Sequence, residues 1–476
     1  MTPPSKARLE DSQLWEWQRQ FYQSSAARAW TSGTVPWRIT STPIFADGLA
    51  EVISAFARER AGGRPVCVVD LGAGTGRLAA LLCERLTVPF RYVMTDVAAS
   101  NLDAWRQHPR LLAQVGAGRL DFAAADSLQL RELQLTESGE RWRAGMLPGP
   151  LVAIAAYHFD SLPHALYRKR GGALDEGRVT LTGTLPEVEW EFDFAPAGKL
   201  DPFVRGYARA APEGPFLVPV GALRCLRALA RLGGGQLLCL AADKGPRTFE
   251  QLAALPFPPL ARHGSVSASV NFHALRAWAG WRTWLEARAP DPSLGVYGLA
   301  QGHPGLGQTA AAFAAAFGDG APLSYELQLQ ALSARAESAS AEELLAALVA
   351  QRCAPDVFLR LADALRAQVP RLSVEQVPAL VEAADRVGAA HFELGDARDV
   401  AFELATVLHR AGQLTHAARW YQRSVVLRGD HPTTRFNLAL CRLDLADLPA
   451  ARTELERVLA LAPEHARAKE LLEQLT

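Results

Sequence analysis

The sequence has no long uninterrupted apolar run. Its most apolar stretch, about Phe216 to Ala242, is broken by Arg224, Arg227 and Arg231, so it does not read as a membrane span. Neither sign of charge is in excess: 50 Lys and Arg stand against 50 Asp and Glu. A chain devoted to DNA or RNA usually carries a basic excess, so no nucleic-acid partner is expected. The six cysteines (Cys67, Cys83, Cys225, Cys239, Cys353 and Cys441) form no CxxC pair and have no His at a metal-ligand spacing. They read as buried small apolar residues of a reduced compartment, and no metal site is expected. The N-terminus, Met1-Thr2-Pro3-Pro4-Ser5-Lys6, leads into polar sequence with no apolar core of a signal peptide. A cytoplasmic location follows as the expectation. The Ala-, Leu- and Arg-rich composition suggests a bacterial, GC-rich genome. There is no HExxH, no G-x-S-x-G and no GxxxxGK[ST].

What remains is an ordinary globular composition, 49% hydrophobic and 21% charged, over 476 residues. Residues 1–60 read as a helical, aromatic-rich lid or brace, with Leu14, Trp17 and Phe21 on one helix face and Asp11 as a candidate cap. Thr31-Ser32-Gly33-Thr34-Val35-Pro36 reads as a turn, and a second helix is predicted from Ile44 to Arg60. Between 61 and 318, short apolar runs alternate with helical stretches. Val66–Asp70, Phe90–Thr95, Arg119–Ala123, Leu151–Ala156 and Gln236–Leu240 read as strands of a parallel sheet covered by helices. A β-hairpin region is expected as an insertion between Leu166 and Phe194. Ser267–Phe272 and Gly295–Leu299 are candidates to close the sheet. Gly318-Asp319-Gly320-Ala321-Pro322 reads as a linker. Residues 323–476 read as all helix. Val400–Leu427 and Thr434–Leu461 are similar pairs offset by 34 residues, with Leu404 matching Leu438, Gly412 matching Ala446 and Ala417 matching Ala451. That period, clearest over 398–476, looks like tetratricopeptide repeats, which commonly hold peptides or proteins.

One motif carries chemistry. Asp70-Leu71-Gly72-Ala73-Gly74-Thr75-Gly76 follows an apolar strand and opens a helix. Glycines let the backbone approach a ligand, and a helix N-terminus offers N–H donors. The spacing is GxGxG, whereas a dinucleotide fingerprint needs GxGxxG, whose third glycine would fall at Arg77. The acid two places before the first glycine suits an ammonium group, as in the methionine part of S-adenosylmethionine, and is misplaced for a pyrophosphate. Asp96 ends the second strand, where a carboxylate can accept from ribose hydroxyls. Asp126 follows the third strand, within reach of an adenine amino group. The fourth strand ends in Ala156-Tyr157-His158-Phe159-Asp160-Ser161-Leu162-Pro163, so Tyr157, His158 and Asp160 are expected to face the methyl group and its acceptor. His158 is a candidate general base because its ordinary pKa is near neutral.

Over roughly residues 25–315 the chain resembles the MidA/NDUFAF7 family of class I methyltransferases. The resemblance lies in Trp30-Thr31-Ser32-Gly33, in Asp160-Ser161-Leu162-Pro163, in Asp243-Lys244-Gly245 and in Arg262-His263-Gly264 through Val270-Asn271-Phe272. It implies a Rossmann-like class I methyltransferase sheet, S-adenosylmethionine as cofactor and an arginine side chain of a partner protein as acceptor. The family's Asn-Glu at the fourth strand is Ala156-Tyr157 here, and its Asp-Tyr-Gly is Asp-Lys-Gly. A guanidinium needs carboxylates to orient it, and the family's Glu is absent from this strand end. The expected function is methyl transfer to a protein recruited through the repeats. The alternatives are a cofactor-binding scaffold that no longer turns over, or a small-molecule methyltransferase.

Overall fold

The computed structural model describes residues 6–25, 39–183, 187–262, 265–278, 280–287, 294–318, 323–394 and 397–475. The turn at 31–36, Trp30-Thr31-Ser32-Gly33, His263-Gly264 and most of the expected linker lie outside them. The chain divides into two compact units, Met1–Ser324 and Tyr325–Thr476.

The first unit is built on a seven-stranded sheet. In chain order its strands are β1 (Val66–Leu71), β2 (Phe90–Asp96), β3 (Leu120–Ala124), β4 (Leu151–Ala156), β5 (Leu237–Asp243), β6 (Thr283–Glu286) and β7 (Gly295–Gln301). Across the sheet they run β6-β7-β5-β4-β1-β2-β3. β5, β4, β1, β2 and β3 pair in parallel, and β7 is antiparallel to both of its neighbours. Every residue of β1 is buried, as is expected of a parallel strand covered on both faces. The chain leaves β1 toward β2 and β3 and then returns to β4 on the other side. The carboxyl ends of β1 and β4 therefore flank the topological switch point, where such sheets hold ligands.

Gly295–Leu299 does close the sheet, as part of β7. Ser267–Phe272 does not. Val266–Ala268 pairs with Leu260–Arg262 in a separate ribbon, and Phe272 begins a helix capped by the Asn271 side chain. The second edge strand is β6, whose half-buried Thr-Trp-Leu-Glu gave no long apolar signal. The insertion is larger than a hairpin. Lys6–Arg8, Ala165–Arg170, Ala173–Thr182, Glu189–Pro196 and Gly214–Val218 make a five-stranded antiparallel sheet, so the N-terminal segment is sewn into it. Glu187, Glu189, Glu191 and Asp193 lie exposed along one side of that sheet.

Two N-terminal helices complete the unit. Helix α1 (Gln13–Ser25) buries Leu14, Trp15 and Gln18, a face rotated from the Leu14-Trp17-Phe21 stripe read from spacing. Asp11 takes the Arg8 guanidinium at 2.6 Å. Helix α2 (Pro43–Arg60) starts at Pro43 with Thr42 accepting the Phe45 N–H, and packs against Gly307–Phe317. Gly48 is required there, since a Cβ would lie 2.7 Å from the Phe317 ring.

The second unit is helical throughout. Val400–Arg410 pairs with Leu414–Arg428, and Pro432–Asp444 pairs with Leu448–Leu461. Leu404, Leu438, Ala417 and Ala451 are all buried. The two hairpin turns share one backbone geometry: Gly412 has φ 71° and Ala446 has φ 58°, the left-handed conformation that ends a helix. Among the described residues no helix is long and apolar enough to cross a membrane.

Candidate functional site

A cavity of about 330 Å³ opens at the carboxyl end of the sheet. That size is in the range of small-molecule sites. Gly72 from the end of β1, Asp96 from β2, Asp126 after β3, and Tyr157 with His158 after β4 form its floor. Trp15, Gln18, Arg19 and Tyr22 of α1 form a wall.

The glycine motif divides its labour. Gly72, Gly74 and Gly76 all have positive φ (60°, 56° and 83°), which explains why glycine occupies each. Of the three, Gly72 lines the cavity, and a Cβ there would stand 3.1 Å from His158 Nδ1. Gly74 donates its N–H to Asp96 Oδ2 at 3.3 Å and accepts from Trp105 Nε1 at 2.8 Å. Gly76 caps α3 (Arg77–Arg85), and a Cβ on it would meet Met94 at 2.8 Å. The backbone N–H of Ala73 goes to Thr95 O, that of Gly76 to Ala73 O, and that of Arg77 to Thr75 Oγ1. Four amides of the turn, those of Ala73, Gly74, Gly76 and Arg77, are thus bonded within the protein.

Asp96 lies in the cavity wall with Oδ1 on the Ala98 N–H at 2.9 Å and Oδ2 on Gly74. The Asn101 side chain and the Val97 N–H also stabilise this carboxylate, so a ligand hydroxyl would have to share or displace one of these donors. Burial raises its pKa. Asp126 also lines the cavity. Its Oδ1 takes the Leu128 N–H at 2.9 Å and its Oδ2 faces Arg19 at 3.4 Å, an ion pair that ties α1 to the loop after β3. Asp70 is different: it does not line the cavity. It is buried under the motif, and its Oδ2 accepts the Tyr92 hydroxyl at 2.8 Å.

Burial pushes Asp70 up to about 7, with Asp96's charge adding and the Tyr92 bond opposing. A carboxyl raised in the folded state contributes its full stability below its unfolded pKa, about 3.9, and loses it as pH rises through about 7. At pH 8 the ionised form costs at most about 4 kcal/mol, against about 1–3 kcal/mol for burying an unpaired amide in its place. Asp70→Asn is therefore expected to be more stable than the parent at pH 8. The advantage should shrink by about 2 kcal/mol or more at pH 5. Urea unfolding at both pH values checks this, and an advantage that does not change with pH would refute it.

The end of β4 is backed by a charged cluster. Tyr157 has φ 47°, a strained conformation for a non-glycine residue, and its N–H donates to Ala242 O at 2.8 Å. His158 Nε2 lies 2.9 Å from Ser127 Oγ, and burial pushes its pKa down to about 4. The near-neutral base expected of His158 is thus a neutral imidazole of low basicity. Asp160 does not line the cavity. It is buried, its N–H donates to Asp243 Oδ2 at 3.0 Å, and its carboxylate lies 3.6 Å from Lys244 Nζ. Burial raises both Asp160 and Asp243, and Asp160's charge further raises Asp243, with Lys244 partly offsetting the effect at Asp160. Burial and these carboxylates also raise the Tyr22 and Tyr157 hydroxyls.

The cavity brings together Gly72, Asp96, Asp126, Tyr157 and His158 from the expected set, with Asp70, Asp160, Ala73, Gly74, Thr75 and Gly76 outside its lining. The α1 residues, Thr40, Ser127 and Lys244 were not singled out as site residues. The spacing of Trp15, Gln18 and Tyr22 could have shown the first group, since i, i+3 and i+7 share a helix face.

No family model matches the chain, and no curated protein matches it. Among solved structures, a Burkholderia thailandensis protein bound to S-adenosyl-homocysteine is 16% identical, covering 63% of this chain and 96% of that one, with a TM-score of 0.42. Magnesium protoporphyrin IX methyltransferase from Synechocystis is 11% identical over 60% of this chain and 99% of its own, with a TM-score of 0.30. The tetratricopeptide-repeat protein YrrB, which has an unusual peptide-binding site, is 24% identical over 30% of this chain and 70% of its own, with a TM-score of 0.23. At these identities and TM-scores, any assignment of this chain rests on its own site.

Proposed function

We propose that the first unit binds S-adenosylmethionine and transfers its methyl group to a protein acceptor recruited through the helical unit. The observation that carries the cofactor is charge. Asp70, Asp96, Asp160 and Asp243 are buried at the carboxyl end of the sheet, and all four are held above the usual carboxylate range. Lys244 is the cation paired with this group. Of the four, Asp96 lines the cavity; carboxyls held this high tend toward their protonated forms, and a cationic ligand favours their ionisation, gaining affinity as the protons leave. A neutral His158 beside Gly72 adds no charge to repel a sulfonium.

When bound, the cofactor would supply a methyl group activated by its sulfonium, the acceptor lone pair bonding to that carbon as the C–S bond breaks and S-adenosyl-homocysteine leaves. The chain's part is to align the two, and alignment alone can supply much of the rate. Asp96 holds hydroxyls, Gly72 admits the ligand to within van der Waals distance of the backbone, and α1 keeps water from the reacting side. The cofactor-binding scaffold is the second reading. It is favoured by Ala156-Tyr157, which puts no carboxylate of β4's end into the cavity, since Asp160 is held by Lys244; the acids that line it are Glu16, Asp96 and Asp126.

The test uses S-adenosyl-homocysteine calorimetry and transfer of labelled methyl groups from the cofactor into an extract of the cells that make the protein. Full-length protein is expected to bind the thioether one to one and to label protein. Residues 1–324 hold every site residue and are expected to bind it with the same affinity, yet to label protein at a rate lower by at least about tenfold, because remote binding surface supplies acceptor affinity. Binding without any transfer favours the scaffold. Equal labelling by the truncated chain removes the role given to the helical unit.

A further inference from the structure

We infer that Gln18 is the specificity-determining donor on the acceptor side of the cavity, placed to bind a carbonyl oxygen of the group that receives the methyl. The inference rests on the methyl-transfer reading above. Gln18 lines the cavity and is 1% exposed. Its Oε1 accepts the Val266 N–H at 2.8 Å. An amide N–H can be answered only by the oxygen of the side-chain amide, so this bond fixes which end is which. The Nε2 group is left buried, with no hydrogen-bond partner among the described residues. Buried polar groups are nearly always bonded, and an orphan in a cavity wall points to a ligand that completes it.

Its place in the fold says which ligand. Val266 stands between Ser265, which bonds Tyr22, and Ser267, whose hydroxyl takes the Lys244 ammonium paired with Asp160. Gln18 is therefore anchored beside the end of β5. Asp126 follows β3, and β4, β1 and β2 lie between those two strands. Helix α1 spans that width, with Gln18 held at Val266 and the adjacent Arg19 reaching Asp126. On the methyl-transfer reading the Lys244–Asp160 end beside Gln18 is the acceptor side, and Asp96 with Asp126 form the nucleoside side.

The neighbouring groups narrow the chemistry. Trp15, on the same wall, has its indole N–H on Leu9 O at 2.7 Å and its ring stacked against His164. What it offers the cavity is a flat apolar surface. Two fixed N–H donors beside an apolar wall fit a planar, uncharged group carrying a carbonyl oxygen, of the amide type. Glu16 lines the cavity too, but its carboxylate already takes the Arg19 and Gln20 side chains, and an ammonium or guanidinium would set its own donors against those of Gln18.

The test is nuclear magnetic resonance on full-length protein labelled with ¹⁵N at glutamine side chains and at glycine. The Gln18 signal is identified by its loss in Gln18→Leu. S-adenosyl-homocysteine alone is expected to move the Gly72 backbone signal, identified by its loss in Gly72→Ala, and to leave the Gln18 side-chain signal in place. Benzamide added to that complex should move Gln18, and benzylamine, which lacks the carbonyl, should not. Gln18→Glu keeps an oxygen for Val266 but replaces the donor. It should weaken benzamide by at least about tenfold and S-adenosyl-homocysteine by less than about threefold. The inference is overturned if S-adenosyl-homocysteine alone moves Gln18, if benzylamine moves it as benzamide does, or if benzamide never moves it. Failure of S-adenosyl-homocysteine to move Gly72 would instead strike the methyl-transfer reading, and a selective response of Gln18 to benzamide would still stand apart from it.

Discussion

Gly72→Val is expected to remove S-adenosyl-homocysteine binding, raising its dissociation constant by at least about 10²-fold. Two effects add. The residue sits at φ 60°, where a branched side chain costs of order 1–3 kcal/mol. Its Cβ would also stand 3.1 Å from His158 Nδ1, and the two methyl groups beyond it must enter the cavity or displace the imidazole. Gly72→Ala separates these effects, since it carries the Cβ and part of the strain without the methyl groups. It should bind with a penalty nearer tenfold. Asp96→Ala should fall between them, at the 1–3 kcal/mol scale of hydrogen bonds lost to a charged group. Calorimetry on the three variants gives the order, with thermal unfolding to show that each is folded. A Gly72→Val protein that is folded and binds as tightly as the parent would mean the ligand does not approach this turn.

That ranking differs from what the sequence alone suggests, where the three glycines look equivalent. The turn was legible because a strand, an acid and three glycines fall at fixed spacing. Which glycine touches a ligand was not, because it depends on Met94, Leu111 and Trp105, which pack against the turn from other elements. The same division holds for the sheet. β1, β2, β3, β4 and β5 are apolar runs buried on both faces and are plain in the sequence. β6 is a half-buried edge strand of four residues whose polar ends carry no such signal. Helix α1 was legible as a helix, but its buried face is rotated from the Leu14-Trp17-Phe21 stripe. Its buried face includes Gln18, a polar residue that apolar periodicity discounts, and its bond to Val266 spans 248 positions. The charged cluster behind Tyr157 was only half visible. Asp160 stood out in its strand-end motif, but its partnership with Asp243 and Lys244 is made by the pairing of β4 with β5.

Asp160→Asn is expected to lower methyl transfer by roughly 10²–10⁴ while leaving S-adenosyl-homocysteine affinity within about tenfold. Asp160 lies outside the cavity lining, so it acts here as a positioning residue, through the turn that carries Tyr157 and His158. The Asp160 N–H is held by Asp243, the Tyr157 N–H by Ala242, and the Asp160 carboxylate by Lys244. A strained Tyr157 persists only while its surroundings over-determine it. Removing the Asp160 charge also frees the Lys244 ammonium to pair with Asp243, shifting the β5 side of the cluster. The pH profile separates this role from simple loss of fold. Burial holds the Asp160–Asp243 pair above the usual carboxylate range, so transfer by the parent should fall as pH drops through an inflection above about 4. The variant keeps one fewer titrating carboxylate, and its slower transfer should lose or displace that inflection. Labelled-methyl transfer into a cell extract, measured across pH for both proteins, is the comparison to make. Equal rates with the same inflection would show that Asp160 serves only to fill the space behind the turn.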